Sequence, residues 1–195
     1  MDDFGSLELA GNRVILTSVQ FEEVEQLFSL IDGSRKHLAT WLPWVEFVQK
    51  VDDERHIVEQ WLYDMQIRAA IHLCITCDGE IAGVISTHQI DWLNQRTSIG
   101  YWVAHDQVRN HYATEATAIL MTYLFDKLKL HRIYIQAATG NEPSNRVIKN
   151  LRFKFEGVLR ENERVKETFL DHNIYGMTSE DFRECRDNLK QYLER

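Results

Sequence analysis

The stretch best suited to chemistry is 97–128. There an alternating segment, Thr97 to Val103, passes through the polar residues His105 to His111. It leads into a long amphipathic run with Ala116, Ile119, Leu120, Tyr123, Leu124 and Leu128 on one face. By period this is a strand, a short loop and a helix start. The first N–H groups of a helix have no intrahelical partner, and together with the helix dipole they suit a phosphate or pyrophosphate. An ordinary strand-to-helix connection has the same pattern, because such connections are common. Cys74 and Cys77 form a lone C-x-x-C within Ile71 to Cys77. That segment reads as a strand, where positions three apart face opposite sides. No second pair completes a zinc site. The histidines show no H-E-x-x-H or similar spacing, so no metal is expected.

The elements that would position these residues follow from periodicity and turn chemistry. Arg13 to Leu16 reads as a strand after a short tail, 1–12. Val24, Leu27, Phe28 and Ile31 recur at helical spacing, and Gly33 is expected to stop that helix. Ser34 to Trp44 is a hydrophobic connector. Asp52 can cap a second helix whose apolar stripe is Ile57, Trp61 and Met65. Residues 71–77 and Ile81 to Thr87 alternate around Asp78-Gly79, a strong hairpin turn. After the long helix, Ile133 to Ala137 is a strand and Asn141-Glu142-Pro143-Ser144 begins a short helix. Glu156 to Val165 and Thr168 to Met177 form a hairpin about Lys166-Glu167, and a charged helical extension, 179–195, ends the chain. This order predicts a mixed α/β fold in a single domain over 13–178.

Composition limits the partners. The 195 residues carry 22 Lys and Arg against 30 Asp and Glu, a formal charge of −8. That sign argues against nucleic-acid binding by general phosphate neutralisation. No stretch approaches the ~20 apolar residues of a transmembrane helix, and the N-terminus lacks the basic and apolar regions of a signal peptide. Three cysteines, an odd number, fit a reducing cytoplasm.

Residues 99–116, Ile-Gly-Tyr-Trp-Val-Ala-His-Asp-Gln-Val-Arg-Asn-His-Tyr-Ala-Thr-Glu-Ala, resemble the acetyl-CoA motif of the GNAT acyltransferase superfamily. More narrowly, they are similar to its RimJ/RimL-type branch of ribosomal-protein N-terminal acetyltransferases. Three further segments agree in order. Ser34 to Trp44 resembles that branch's acceptor-side helix and loop, Ala138 to Arg146 its second coenzyme-binding stretch, and Phe155 to Glu161 the strand that follows. The resemblance implies the GNAT fold, a mostly antiparallel central sheet flanked by helices. It also implies acetyl transfer from acetyl-CoA, as co-substrate, to an amine that attacks directly. The acceptor implied is a protein N-terminus of ribosomal-protein type. A small amine, such as a polyamine or amino acid, and a non-catalytic binding or oligomeric module stay open. The branch also implies a homodimer or higher homo-oligomer.

Site roles follow from the same resemblance, residue by residue. The amide of Val103 would hold the thioester oxygen. Val108, Arg109, Asn110, His111, Tyr112 and Ala113 would form the pyrophosphate loop, with Arg146 as a further cation. Ser144 would protonate the departing thiolate, although a first-turn serine can equally cap its helix. Asn141 would bind the pantetheine arm or order its own turn. Glu163 would draw the amine proton through water, with Glu161 the rival if the register slips by two. Trp41 and Trp44 would line the acceptor pocket or pack the core. The family's loop carries glycines where this chain has Arg109 and His111, and L-G-F becomes Leu151-Arg152-Phe153. Holding such side chains in left-handed geometry costs ~1–2 kcal/mol each, so the loop either keeps its shape under strain or changes it.

Overall fold

A computed structural model of the protein describes residues 3–193. Its strands are β1 (Glu8–Ala10), β2 (Val14–Ser18), β3 (His72–Cys77), β4 (Glu80–Thr87), β5 (Arg96–Val103), β6 (Arg132–Ala138), β7 (Lys154–Val165) and β8 (Thr168–Thr178). The helices are α1 (Val24–Leu38), α2 (Val51–Gln66), α3 (Tyr112–Asp126), α4 (Glu142–Asn150) and α5 (Ser179–Leu193). One sheet runs in the order β1-β2-β3-β4-β5-β6-β8-β7. Among the described strands only β5 and β6 pair in parallel, so the fold is the mixed α/β class that the element order predicts, with the mostly antiparallel sheet that the resemblance implies.

Alternation along the strands divides the core into two layers. Leu73, Ile75, Ile85, Ile99, Ile133, Ile135 and Tyr175 face α3 and α5, where Phe182 stacks on Phe125 at 4.7 Å between ring centroids. Cys74, Val84 and Trp102 face Leu27, Ile31 and Leu38 of α1 and Val58 of α2. The hairpin between β3 and β4 turns through Asp78 (φ 52) and Gly79 (φ 85), the paired positive φ values of a tight two-residue turn.

Three local expectations are corrected. α1 does not stop at Gly33 but continues to Leu38, because Ser34 and Leu38 prolong its buried stripe. Their burial outweighs the ~1 kcal/mol that an interior glycine costs. α2 turns inward Glu54, Val58 and Met65, leaving Ile57 and Trp61 half-buried. Its first turn is fixed by Asp53 rather than Asp52, the Asp53 carboxylate accepting from the N–H groups of Gln49 and Lys50 at 2.9 and 3.0 Å. The segment read as a tail also contributes β1, which lies antiparallel on β2, and the fully buried Phe4.

Candidate active site

The parallel pairing of β5 with β6 lasts three residues, Arg96–Arg132, Thr97–Ile133 and Ser98–Tyr134. Beyond them β5 stays on β4 as far as Val103, and β6 stays on β8 as far as Ala138. The strands therefore part, and the sheet opens between 99–103 and 135–138. Pairing with β4 fixes which backbone groups face that gap. The Ser98 carbonyl accepts from the His88 N–H (2.9 Å), and the Ala104 N–H donates to the Ala82 carbonyl (2.8 Å). Backbone direction alternates along an antiparallel ladder. The Ile99 N–H closes the last bond of the β5–β6 ladder, and the Ile99 C=O with the N–H and C=O of Tyr101 and Val103 hence point away from β4, into the opening. Gly83, opposite Val103, permits this divergence: a Cβ there would stand 2.1 Å from the Trp102 carbonyl oxygen.

At the carboxyl end of β5 the chain enters α3 through residues 104–111. Arg109 (φ 68) and His111 (φ 64, the helix N-cap) are both left-handed. The two side chains standing where the resembled motif has glycine thus keep a glycine-like backbone. Among the described residues, no backbone N–H from Val108 to Ala113 donates to a protein acceptor. Such a run at a helix start forms a concave anion cradle reinforced by the helix dipole. The cradle is anchored from below. The buried Glu115 carboxylate accepts from the N–H groups of Arg13 and Val14 at 2.6 and 2.8 Å, while the Arg13 guanidinium donates to the Asn110 carbonyl and lies over the Tyr112 ring. Arg109 and His111 are exposed, and Val108, Asn110, Tyr112 and Ala113 are half-buried.

Across the opening, α4 presents Ser144. Its N–H is capped by the Asn141 side chain (3.3 Å), so Asn141 caps the helix and the Ser144 hydroxyl is left for another partner. That partner is the Tyr101 hydroxyl, 3.0 Å away. Burial pushes the Tyr101 phenol up to about 12, so it stays protonated at neutral pH. Next to Ser144, the buried Asn145 donates to the carbonyls of Ala138 and Asn141 and accepts from Asn173 and Tyr175. Three of these bonds tie α4 to β6 and β8, and the one to Asn141 closes its own N-cap. Arg146 is exposed on the first turn.

The opposite face of the opening carries a second set of polar groups. Glu163 follows a bulge in β7, where the register slips between Leu159 and Glu163 and Glu161 is left-handed (φ 50). The Glu163 carboxylate is 3.6 Å from Nε2 of His172, whose Nδ1 is 3.1 Å from the Asn162 amide. Glu161 is exposed, its N–H donating to Asp171 (2.7 Å). His88 lies over Gly100, and burial lowers its pKa while Glu163 acts to raise it. Trp41 reaches the turn after β6, its ring 3.5 Å from where a Cβ on Gly140 would stand. Trp44 instead packs beside Trp102 in the α1–α2 cluster, with ring centroids 6.3 Å apart.

Sequence reasoning missed Tyr101 and His88. Tyr101 sits two residues before Val103 within the quoted motif, so strand alternation could have singled it out. His88 had no local signal, since its place depends on the absence of a side chain at Gly100.

A sequence profile described as "Acetyltransferase (GNAT) domain" matches residues 13–154. The "Putative ribosomal N-acetyltransferase YdaF" of Bacillus subtilis is 33% identical over 72% of this chain and 77% of that protein. The ribosomal-protein-serine acetyltransferase of Escherichia coli is 29% identical over 82% and 89%. Among solved structures, the microcin C7 self-immunity acetyltransferase MccE, in complex with acetyl-CoA and AMP, superposes with a TM-score of 0.82 at 28% identity. That match covers 86% of this chain and 93% of the other.

Proposed function

The chain belongs to the GNAT acetyltransferase family, and on that premise we propose that it transfers acetyl from acetyl-CoA to the α-amine of a protein N-terminus, of ribosomal-protein type. The observation that carries the reading is the meeting of the open β5–β6 seam with six consecutive undonated N–H groups at 108–113. The left-handed Arg109 and His111 preserve that cradle, which fits the pyrophosphate of the coenzyme. When bound, acetyl-CoA supplies an activated thioester. The relatives acting on ribosomal proteins favour a polypeptide acceptor.

Each residue then has a role. The N–H of Val103, directed into the seam, holds the carbonyl oxygen as it gains charge. Residues 108–113, with Arg109 and Arg146, neutralise phosphate, and Asn141 fixes the α4 turn beside the pantetheine path. Ser144, backed by the protonated Tyr101 phenol, returns a proton to the leaving sulfur. Glu163, braced by His172, draws off the amine proton. Trp41 borders the acceptor mouth. We further infer a cytoplasmic homo-oligomer, for which the exposed Phe155 and Phe169 of the β7–β8 hairpin offer apolar surface.

Thermal denaturation with acetyl-CoA is the first test. Ligand at about 100 times its Kd adds ~2.7 kcal/mol, which is ~5–10 °C for a chain of this size. No shift at millimolar acetyl-CoA refutes the reading. Thiol release with ribosomal N-terminal peptides and with spermidine then identifies the acceptor. Faster turnover of spermidine would overturn the polypeptide assignment. Ser144→Ala should lower kcat by about 10- to 100-fold.

A further inference from the structure

We propose that His88 receives the proton of the attacking amine and stands between the seam and Glu163. The inference deepens the transferase reading and rests on it. His88 directly follows β4, and its N–H donates to the Ser98 carbonyl at 2.9 Å, so the pairing with β5 extends one residue beyond the strand. The imidazole therefore shares the sheet face of Ser86 and Gly100, which are paired across the two strands. Gly100 has no side chain, and the ring occupies the space this leaves: Nε2 lies 3.2 Å and Cε1 3.8 Å from where a Cβ would stand. His88 also lines a depression of about 450 Å³ with Tyr134 and Gln136 of β6 and Ile174 of β8. That depression begins over the paired rung of Arg96 and Arg132, so His88, reaching Gly100, stands at the closed end of the opening on the face that α3 and α4 leave free.

Strand alternation makes the arrangement two-sided. Gly100 and Tyr101 are successive residues of β5, so His88 over Gly100 and the Ser144–Tyr101 hydroxyl pair lie on opposite faces of the sheet. This division gives the two proton transfers of acyl transfer separate partners. The amine lone pair forms the N–C bond from one side, and its proton passes to Nε2 of His88. The C–S bond breaks toward the other side, and the sulfur, leaving with the bonding pair, takes a proton from Ser144, whose hydroxyl regains one from solvent through the Tyr101 phenol beside it. The products are an amide and a thiol. The proton on His88 goes on by way of Glu163 to solvent, so that the carboxylate draws off the amine proton through the imidazole.

The surroundings suit a neutral base that becomes cationic. His88 stays exposed, and what burial it has lowers its pKa from the ordinary imidazole value, which favours the neutral ring that can accept a proton. Glu163 from β7 raises it and stabilises the imidazolium once formed. His72 of β3 is held down to about 3 by burial, with a contribution from His88. Among the other charged groups lining the depression, Arg96 is paired with Asp91 (3.2 Å) and Arg132 with Glu156 (2.7 Å). Their charges largely cancel, which leaves Glu163 as the carboxylate that acts on His88.

The test uses the full chain with His88→Gln and His88→Ala, measuring thiol release from acetyl-CoA with a peptide acceptor across pH. We expect kcat/KM to fall about 100-fold, the acidic limb of its pH profile to flatten, and the acetyl-CoA thermal shift to stay as in wild type. Added imidazole should restore part of the His88→Ala turnover. His88→Gln combined with Glu163→Gln should be little worse than His88→Gln alone, because the two groups serve one proton path. A His88→Gln enzyme within about threefold of wild type, a small change beside the loss of a general base, and with the same acidic limb overturns the proposal. So does His88→Ala that keeps the thermal shift but gains nothing from imidazole. A wild-type protein with no turnover refutes the transferase reading itself, an outcome distinct from active wild type indifferent to His88.

Discussion

Replacing Arg109 and His111 together by glycine should stabilise the free protein and weaken its hold on acetyl-CoA. Both residues are left-handed, at φ 68 and φ 64. Each L side chain held there costs ~1–2 kcal/mol, while glycine gives back ~0.5–1 kcal/mol through the freedom of the unfolded chain. The net gain is about 0.5–1 kcal/mol per site, or ~1–2 kcal/mol for the pair. Nothing else is lost on the folded side: both side chains are exposed, and neither makes a hydrogen bond or ion pair among the described residues. For a domain this long, 1 kcal/mol moves Tm by ~2–4 °C, so the ligand-free double variant should melt about 2–8 °C higher. Ligand affinity goes the other way, because Arg109 takes its cation with it. We expect Kd for acetyl-CoA to rise about threefold to tenfold at low salt, with the difference shrinking as salt screens the phosphates. Arg109→Ala separates the two effects, losing the charge while still placing a Cβ at positive φ. Scanning calorimetry and titration calorimetry read both quantities. A lower ligand-free Tm for the double variant, or an Arg109→Ala gain equal to that of Arg109→Gly, would show that backbone strain is not stored at these two positions.

Gly83→Ala should destabilise by about 2–3 kcal/mol or more, because its Cβ meets the backbone of Trp102 and Val103 rather than a flexible side chain; urea melts and the acetyl-CoA shift check it. Tyr101 ionises near 12 when folded and near 10 when unfolded, so the unfolded chain loses its proton first. Stability should therefore fall between pH 10 and 12, by about 2–3 kcal/mol from this residue, and Tyr101→Phe should remove that part of the slope in urea melts at pH 9 and 11. Glu54 is buried with neither carboxylate oxygen bonded, and burial pushes it up to about 7. Since the unfolded chain ionises first, near 4.5, stability drops as pH rises from 4.5 to 7, on the order of 3 kcal/mol. Glu54→Gln should flatten that drop and melt higher than wild type at pH 8.

What the sequence made legible was whatever is written in period and turn chemistry. The β3–β4 hairpin was readable from alternation around Asp78-Gly79, and the β7–β8 hairpin from alternation around Lys166-Glu167. β1 was not, since Glu8-Leu9-Ala10 is too short to show a period and owes its conformation to β2. Gly33 misled because a local preference of ~1 kcal/mol yields to burial of the next helical turn. Left-handed residues were hidden for a different reason. The residue types of Arg109, His111 and Arg152 carry no turn signature, so only the glycines of the resembled motif pointed to them and only the tertiary frame fixes their φ. At Arg152 that frame is a helix end in which Phe153 N–H bonds Ile148 C=O and Arg152 N–H bonds Lys149 C=O. This is the pairing that usually selects glycine at the left-handed position Arg152 occupies. In the site, Ser144 was readable from its motif, whereas its release from capping required seeing Asn141 take that duty.

The three rungs that join β5 to β6 also make the sheet mechanically two plates, β1–β5 and β6–β8, with a short weld at one end. Helices span the seam, α3 and α5 being clamped by Phe125 on Phe182. A molecule seated in the opening would act as additional rungs, bonding to the edge amides of Tyr101 and Val103 that face no strand. Its arrival should then stiffen the joint, slowing amide hydrogen exchange at 96–103 and 132–138 together. The same chain without a guest should breathe at the open end first, the weld at Thr97–Ile133 being the last to yield.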